Sequence, residues 1–394
     1  MYNEIKNIKD LLLHESICVL PWHGFMLFPN GEVKNCAISN QSLGNIHKTF
    51  LPDLLDNEIN QRIRQDMRDN VRHNRCITCY RTEDLQPNGN FSNKISNRIW
   101  YMKVMKNHDV SVYSENKFVK PRVLDLRWRN TCNMACVYCG PDLSSKWASE
   151  LENKSHVIDE AVFEKNKQFI LDNLQEVRHI YLAGGEPLLI KDNEDLLNRL
   201  LIDNPDVTIR INSNLSKINN KIFYMLTEKF PGTKWTVSLD STGENYEYVR
   251  YPGVWADLVQ NLKILKQITN NIDFNMTWSI LNAYAIFDAV DFLENDLGFQ
   301  NSTFVIQPIF DPPWLFINNL DDQIIRDIKD KINARLAKTK SGLYRNSLNS
   351  MLTCLDIPWN KDIDNSKTQL DTINQRRNLT SPDFLNYINF DKRK

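Results

Sequence analysis

From about residue 120 to 310, six short β-rich runs alternate with helical patterns, and this alternation limits the possible folds more than any other feature. The runs are 123–127 (VLDLR), 179–183 (HIYLA), 207–212 (VTIRIN), 234–239 (KWTVSL), 275–281 (NMTWSIL) and 303–308 (TFVIQP). Between them apolar residues recur at i, i+3, i+4 spacing. Leu196, Leu197, Leu200 and Leu201 form one such stripe, and Leu258, Leu262, Leu265 and Ile268 another. That period buries one face of a helix. Strands separated by helices form βα units and a parallel sheet. Ligands of such sheets bind at the carboxyl ends of the strands, on the loops that follow. Chemistry is therefore expected just after the runs.

The flanking segments read differently. In residues 1–85, the stretches Leu27–Asn30 and Glu32–Cys36 flank the Asn30-Gly31 pair; both residues of the pair tolerate positive φ, so the pattern predicts a hairpin. A helix is expected over 53–70, with Leu55, Ile59, Ile63 and Met67 on one stripe. Residues 86–119 are polar and read as a linker, 120–315 as the α/β unit, and 316–394 as a mostly helical extension. Lys+Arg (48) and Asp+Glu (49) leave a net charge of −1, which argues against a nucleic-acid partner. No apolar run approaches the ~18–20 residues of a membrane span. The opening stretch mixes acidic residues into a short apolar run and does not read as a signal peptide, so a cytoplasmic, reducing setting is expected.

Eight cysteines then carry the chemistry. In a reducing compartment, clustered thiols bind metal or react rather than form staples. Cys132, Cys136 and Cys139 follow directly after the first β-run. Three thiolates so close suit an iron–sulfur cluster, with one iron left open for a ligand. A zinc site with a fourth ligand elsewhere is the alternative. Cys18, Cys36, Cys76 and Cys79 form a second set, two flanking the hairpin and two in a CxxC knuckle. Spacing alone leaves zinc and iron–sulfur open there. Cys354 stands alone among apolar neighbours and reads as packing.

The Cys-x3-Cys-x2-Cys spacing, with Tyr138 before the last cysteine, resembles the radical S-adenosylmethionine (SAM) superfamily. The resemblance continues in order along the runs. It implies a [4Fe-4S] cluster on Cys132, Cys136 and Cys139, and a SAM amino-group site at Gly184, Gly185 and Glu186. It implies further cofactor contacts at Ser213, Asn214, Ser238 and Asp240, with Arg250 pairing the SAM carboxylate. The fifth run ends near Ile280 without the glycines often described there.

The Cys-x12-Gly-x4-Cys opening resembles the SPASM/twitch auxiliary-cluster unit. Its place ahead of the triplet resembles N-terminal-twitch radical SAM proteins, as do the stretches CVLPW, LDLR and AGGEPLL. This resemblance implies an auxiliary [4Fe-4S] cluster on Cys18, Cys36, Cys76 and Cys79. The expected fold is α/β: a partial (β/α)6 TIM-type barrel with a small N-terminal twitch-like domain and a helical C-terminal segment.

The activity implied is cleavage of SAM to a 5′-deoxyadenosyl radical that abstracts hydrogen from a substrate. An external donor of flavodoxin or ferredoxin type would supply electrons, and the auxiliary cluster would take part in an oxidation. Redox-neutral radical chemistry is the alternative within this class. A zinc-stabilised binding protein is the alternative outside it, and the intact triplet and Gly-Gly-Glu motif oppose it. The substrate is a small molecule or a peptide. Arg127, Arg129 and Asn130, at the end of the first run, are candidates for touching it.

Overall fold

The computed structural model describes residues 10–11, 14–39, 41–84, 96–105, 110–152, 159–300, 302–339, 342–380 and 382–388. The chain forms two compact units. The first comprises the described residues of Met1–Asn130, His156–Arg210 and Glu228–Gly232; the second, those of Thr131–Ser155, Ile211–Thr227 and Thr233–Lys394.

In the first unit, β1 (Gly24–Leu27), β2 (Glu32–Lys34) and β3 (Gly44–Asn45) form an antiparallel set. The expected turn is present: Gly31 takes φ +81°, and its N–H donates to the Phe28 carbonyl at 2.9 Å. β1 also runs parallel to β4 (Val123–Leu126), with Gly24 opposite Val123, and β4 runs parallel to β5 (His179–Leu182). The hairpin is thus continuous with the parallel strands, in the order β3-β2-β1-β4-β5. Every residue of β1 and β4 is buried, as strands covered on both faces must be.

The helix expected over 53–70 divides into Leu51–Leu55 and Glu58–Arg68. Asn57 starts the second piece, its side-chain oxygen accepting from the Asn60 N–H at 3.0 Å. The break frees Asp56 to pair with Arg64, a fully buried side chain that also donates to the carbonyls of Pro21 (3.1 Å) and Leu55 (3.2 Å).

Within the polar stretch read as a linker lies a helix, Asn97–Val104, capped by the Ser96 hydroxyl. Its Arg98 is 1% exposed and forms an ion pair with Glu83, which has no exposure. Arg98 donates further to the carbonyls of His14 (2.9 Å) and Ile17 (2.7 Å), and the Ser96 hydroxyl donates to Glu83 at 2.6 Å. One guanidinium therefore joins the Cys18 segment to the Ile77–Asp84 helix that carries Cys79.

β6 (Thr208–Ser213) begins in the first unit and ends in the second. The second unit holds β7 (Lys234–Ser238), β8 (Ile272–Trp278) and β9 (Phe304–Pro308), all parallel. β8 starts three residues earlier than its pattern suggests, because Asp273 is accommodated inside it. Its carboxylate pairs with Lys234 at 2.8 Å and accepts from the Thr303 N–H at 3.2 Å. Helices Asp322–Lys338, Leu343–Leu355 and Ile363–Arg377 make the C-terminal part mostly helical, with Cys354 buried. The architecture is the expected one: mixed α/β with parallel strands, of partial TIM type, in an order that does not close. Among the described residues, no helix is long and apolar enough to cross a membrane.

Breaking a buried ion pair from one side leaves an uncompensated charge, at about 3–5 kcal/mol. Arg98→Met should therefore lower the denaturant midpoint sharply. Changing Glu83 and Arg98 together to apolar residues should recover much of the loss.

Candidate active site

In the second unit, the loop of residues 131–140 has its backbone fixed at several points along its length. The Ala135 N–H donates to the Tyr251 carbonyl at 2.6 Å, Val137 to Val249 at 2.8 Å, and Cys139 to Cys136 at 2.8 Å. The Cys132 N–H donates to the Ser145 hydroxyl at 3.1 Å. The carbonyls of Met134, Ala135 and Cys136 accept from Ser144 Oγ (2.6 Å), Arg377 Nη2 (2.6 Å) and Trp147 Nε1 (2.7 Å). Such a loop presents its three cysteines without a reorganisation cost.

Cys136 is buried, and Cys132 and Cys139 are half-buried. Burial raises the Cys136 thiol, while the Arg250 guanidinium and the Tyr138 hydrogen bond oppose that rise. Burial, with the charge of Cys136, pushes Cys139 up to about 12.

Tyr138, Asp240 and Arg250 meet beneath this loop. Asp240 has no exposure; it accepts from Tyr138 Oη at 2.8 Å and from the Thr277 N–H at 2.6 Å, and pairs with Arg250 Nε at 2.9 Å. The Arg250 guanidinium also lies 5.7 Å from the centre of the Tyr138 ring. Asn282 donates to the Asp240 carbonyl at 2.8 Å, so the end of β8 is tied to the same point.

At the end of β6, Ser213 Oγ accepts from the Leu215 N–H at 2.9 Å. Asn214 accepts from the N–H of Ser216 at 2.9 Å and donates to Asn133 at 3.2 Å, inside the cysteine loop. Ser238 Oγ donates to Asn212 at 3.4 Å.

In the first unit, Gly184, Gly185 and Glu186 follow β5. Gly184 takes φ +114°, and a Cβ there would lie 3.1 Å from the Arg129 carbonyl and 3.2 Å from Arg127 Cα. The Gly185 N–H donates to that carbonyl at 3.2 Å. Only glycine tolerates both the dihedral and the approach. Glu186 is buried, its carboxylate oriented by the Leu188 N–H at 3.1 Å.

Arg127 and Arg129 carry partners inside the unit. Arg127 pairs with Asp125 at 3.0 Å. Arg129 binds Glu160 through both fork nitrogens (2.9 and 2.7 Å) and Asp192 at 3.1 Å, and it lies 3.7 Å over the Phe163 ring. The charge of Arg129 thus serves this network of side chains.

Four further free cysteines lie in the first unit, Cys18 and Cys79 buried, Cys36 and Cys76 half-buried. Burial raises Cys18 and Cys79, and pushes Cys36 to about 11 and Cys76 to about 12. The Cys18 thiol is raised further by Cys76, Cys36 and Cys79, so the four share one electrostatic neighbourhood. Among the described residues, no three His, Cys, Asp or Glu side chains converge closely enough to hold a single metal ion as they stand.

In sequence, three thiols follow β4 and a Gly-Gly-Glu turn follows β5. Residues 128–281 match the model of the Radical SAM superfamily. The chain is 29% identical over 155 residues to the 7-carboxy-7-deazaguanine synthase of Clostridium acetobutylicum, covering 37% of this chain and 64% of the synthase. Similar solved structures include native anSMEcpe with bound AdoMet (14% identity, TM-score 0.41, 56% of this chain and 63% of that one). Another is Streptococcus suis SuiB bound to precursor peptide SuiA (13% identity, TM-score 0.39, 79% and 69%).

The superfamily of that model implies a [4Fe-4S] cluster and SAM. The residues present fit them: three thiols on one immobilised loop, with the Arg250 charge favouring the Cys136 thiolate, suit an anionic cluster. Sequence reasoning did not find Asn133, Ser144, Trp147 or Arg377. Ser144 begins the Ser145–Glu150 helix as a cap, which is a local signal, whereas Arg377 acts from 242 residues away.

Gly184→Ala would force a side chain into positive φ against backbone, at about 1–3 kcal/mol. The expected outcome is a lower thermal midpoint together with weakened SAM binding in equilibrium dialysis.

Proposed function

We propose that this protein is a radical SAM enzyme with two iron–sulfur sites that carries out an oxidation on a small molecule or peptide. The observation that supports it most is the cysteine loop, whose three thiols are presented by a backbone fixed on all sides. Cys132, Cys136 and Cys139 would hold the [4Fe-4S] cluster. Gly184, Gly185, Glu186, Ser213, Asn214 and Ser238 would hold SAM. Asp240 and Arg250 would supply the buried charges next to that site. When bound, the cluster and SAM would supply radical chemistry for removing a hydrogen atom from the substrate.

Cys18, Cys36, Cys76 and Cys79 offer four thiolates, enough to ligate an auxiliary [4Fe-4S] cluster of twitch type completely. Their shared neighbourhood supports one polynuclear group. With no iron free for substrate, that site is assigned to electron transfer, taking the substrate radical's electron in a net two-electron oxidation. The twitch-like assignment covers 1–85, with 86–119 as a connecting segment and 120–315 as the SAM-binding core. An external flavodoxin- or ferredoxin-type donor in the cytoplasm would reduce the enzyme.

Iron, sulfide and zinc per chain, counted after anaerobic reconstitution, test the proposal. About eight irons and no zinc are expected for two cubane clusters; four irons with one zinc would remove the electron acceptor. Changing Cys132, Cys136 and Cys139 to Ala should abolish 5′-deoxyadenosine release while leaving the N-terminal iron in place. Changing Cys76 and Cys79 to Ala should spare SAM cleavage and stop product formation. A product two hydrogens lighter than substrate marks the oxidation, and an unchanged mass marks redox-neutral chemistry.

A further inference from the structure

The Ile363–Arg377 helix ends in a left-handed Asn378 at φ +54°, and its last turn carries Arg376 and Arg377, where cations suit the carboxyl end of a helix. Arg377 turns inward, its side chain only 2% exposed. Nη2 donates to the Ala135 carbonyl at 2.6 Å, and Nε pairs with Glu150 at 3.1 Å. The guanidinium lies 4.7 Å from the Trp147 ring centre and 4.5 Å from that of Tyr251. Trp147 donates to the Cys136 carbonyl, and the Tyr251 carbonyl accepts from the Ala135 N–H. The same helix is pinned by Tyr248, whose hydroxyl donates to Asn374 at 3.0 Å.

Two atoms of this arrangement lack a hydrogen-bond partner although they are buried: Arg377 Nη1 and Glu150 Oε1. A buried unmatched donor is costly.

We infer that Arg377 is a positioning residue for the cysteine loop, fixing the Ala135 carbonyl between Cys132 and Cys136 and placing a cation that favours the reduced state of the cluster held there. The inference rests on the assignment of Cys132, Cys136 and Cys139 to an iron–sulfur cluster. It gives the C-terminal helix a role beyond packing. Lysine cannot replace arginine fully, because one ammonium does not reproduce the fork that reaches a carbonyl and a carboxylate together.

The test uses the full-length, anaerobically reconstituted protein. The midpoint potential of each cluster is followed by electron paramagnetic resonance, and iron retention by a timed chelator challenge. Arg377→Gln should move the SAM-site potential to a more negative value and speed iron loss from that site, leaving the N-terminal site unchanged. Arg377→Lys should return the potential toward wild type while iron loss stays fast. Glu150→Gln, which keeps the Ala135 contact and removes the opposing charge, should move the potential the other way. If all three variants lose only thermal stability and keep the wild-type potential and chelator resistance, the inference fails. Wild-type protein without iron on the Cys132 loop would instead overturn the cluster assignment beneath it.

Discussion

A carboxylate sealed from water needs hydrogen bonds and an opposite charge, or it costs several kcal/mol. Asp240 is such a group, and much of the second unit is arranged to satisfy it. Its partners come from the cysteine loop (Tyr138), the end of β8 (the Thr277 N–H) and the residue following the Gly243–Val249 helix (Arg250). Satisfying one side chain therefore fixes three separate elements. The demand is met by groups of different kinds, a phenol, a peptide N–H and a guanidinium, and none can be exchanged without leaving the others poorly matched. Arg250 then faces both ways, neutralising Asp240 and favouring the Cys136 thiolate.

The two thiol sets are supported by different physics. The Cys132 loop is held mainly through its own backbone, whose N–H and C=O groups find partners from several elements in the unit. That is the accounting any buried loop must meet. The Cys18 set draws on side-chain ion pairs and on segments distant in sequence, above all Arg98 with Glu83. The first arrangement makes a rigid loop. The second is assembled from several segments.

The fold was legible because hydrophobic period and turn residues act locally. The run at 123–127 became β4 and the Asn30-Gly31 pair became a turn. Misreadings occurred where polar side chains are buried with partners. Asp273 inside β8 looks like a loop residue until Lys234 and the Thr303 N–H are brought against it. Arg98 looks like linker charge until it meets Glu83. At the site, the order of the cysteine triplet and the Gly-Gly-Glu turn carried the reading, because their residue types answer to chemistry. Arg129 shows the converse. A cation at a strand end invites a ligand reading, yet Glu160 and Asp192 already hold it, and neither partner is visible in the local pattern. Arg377 and Ala135 are likewise joined only by the fold.

The reach of Arg98 has a consequence in time. It closes onto the Ile17 carbonyl across 81 residues. At ~5–20 residues per second of synthesis, this separation takes roughly 4–16 seconds to make. During that interval Cys18 and its early companion Cys36 are already out without the side chain that completes their surroundings. The two earliest sulfurs of this chain thus pass through a period of exposure to oxidants and stray metal ions, and the Cys132 loop waits longer still for Arg377, made 242 residues after Ala135. Quality of assembly at the first site depends on how well the nascent chain is guarded.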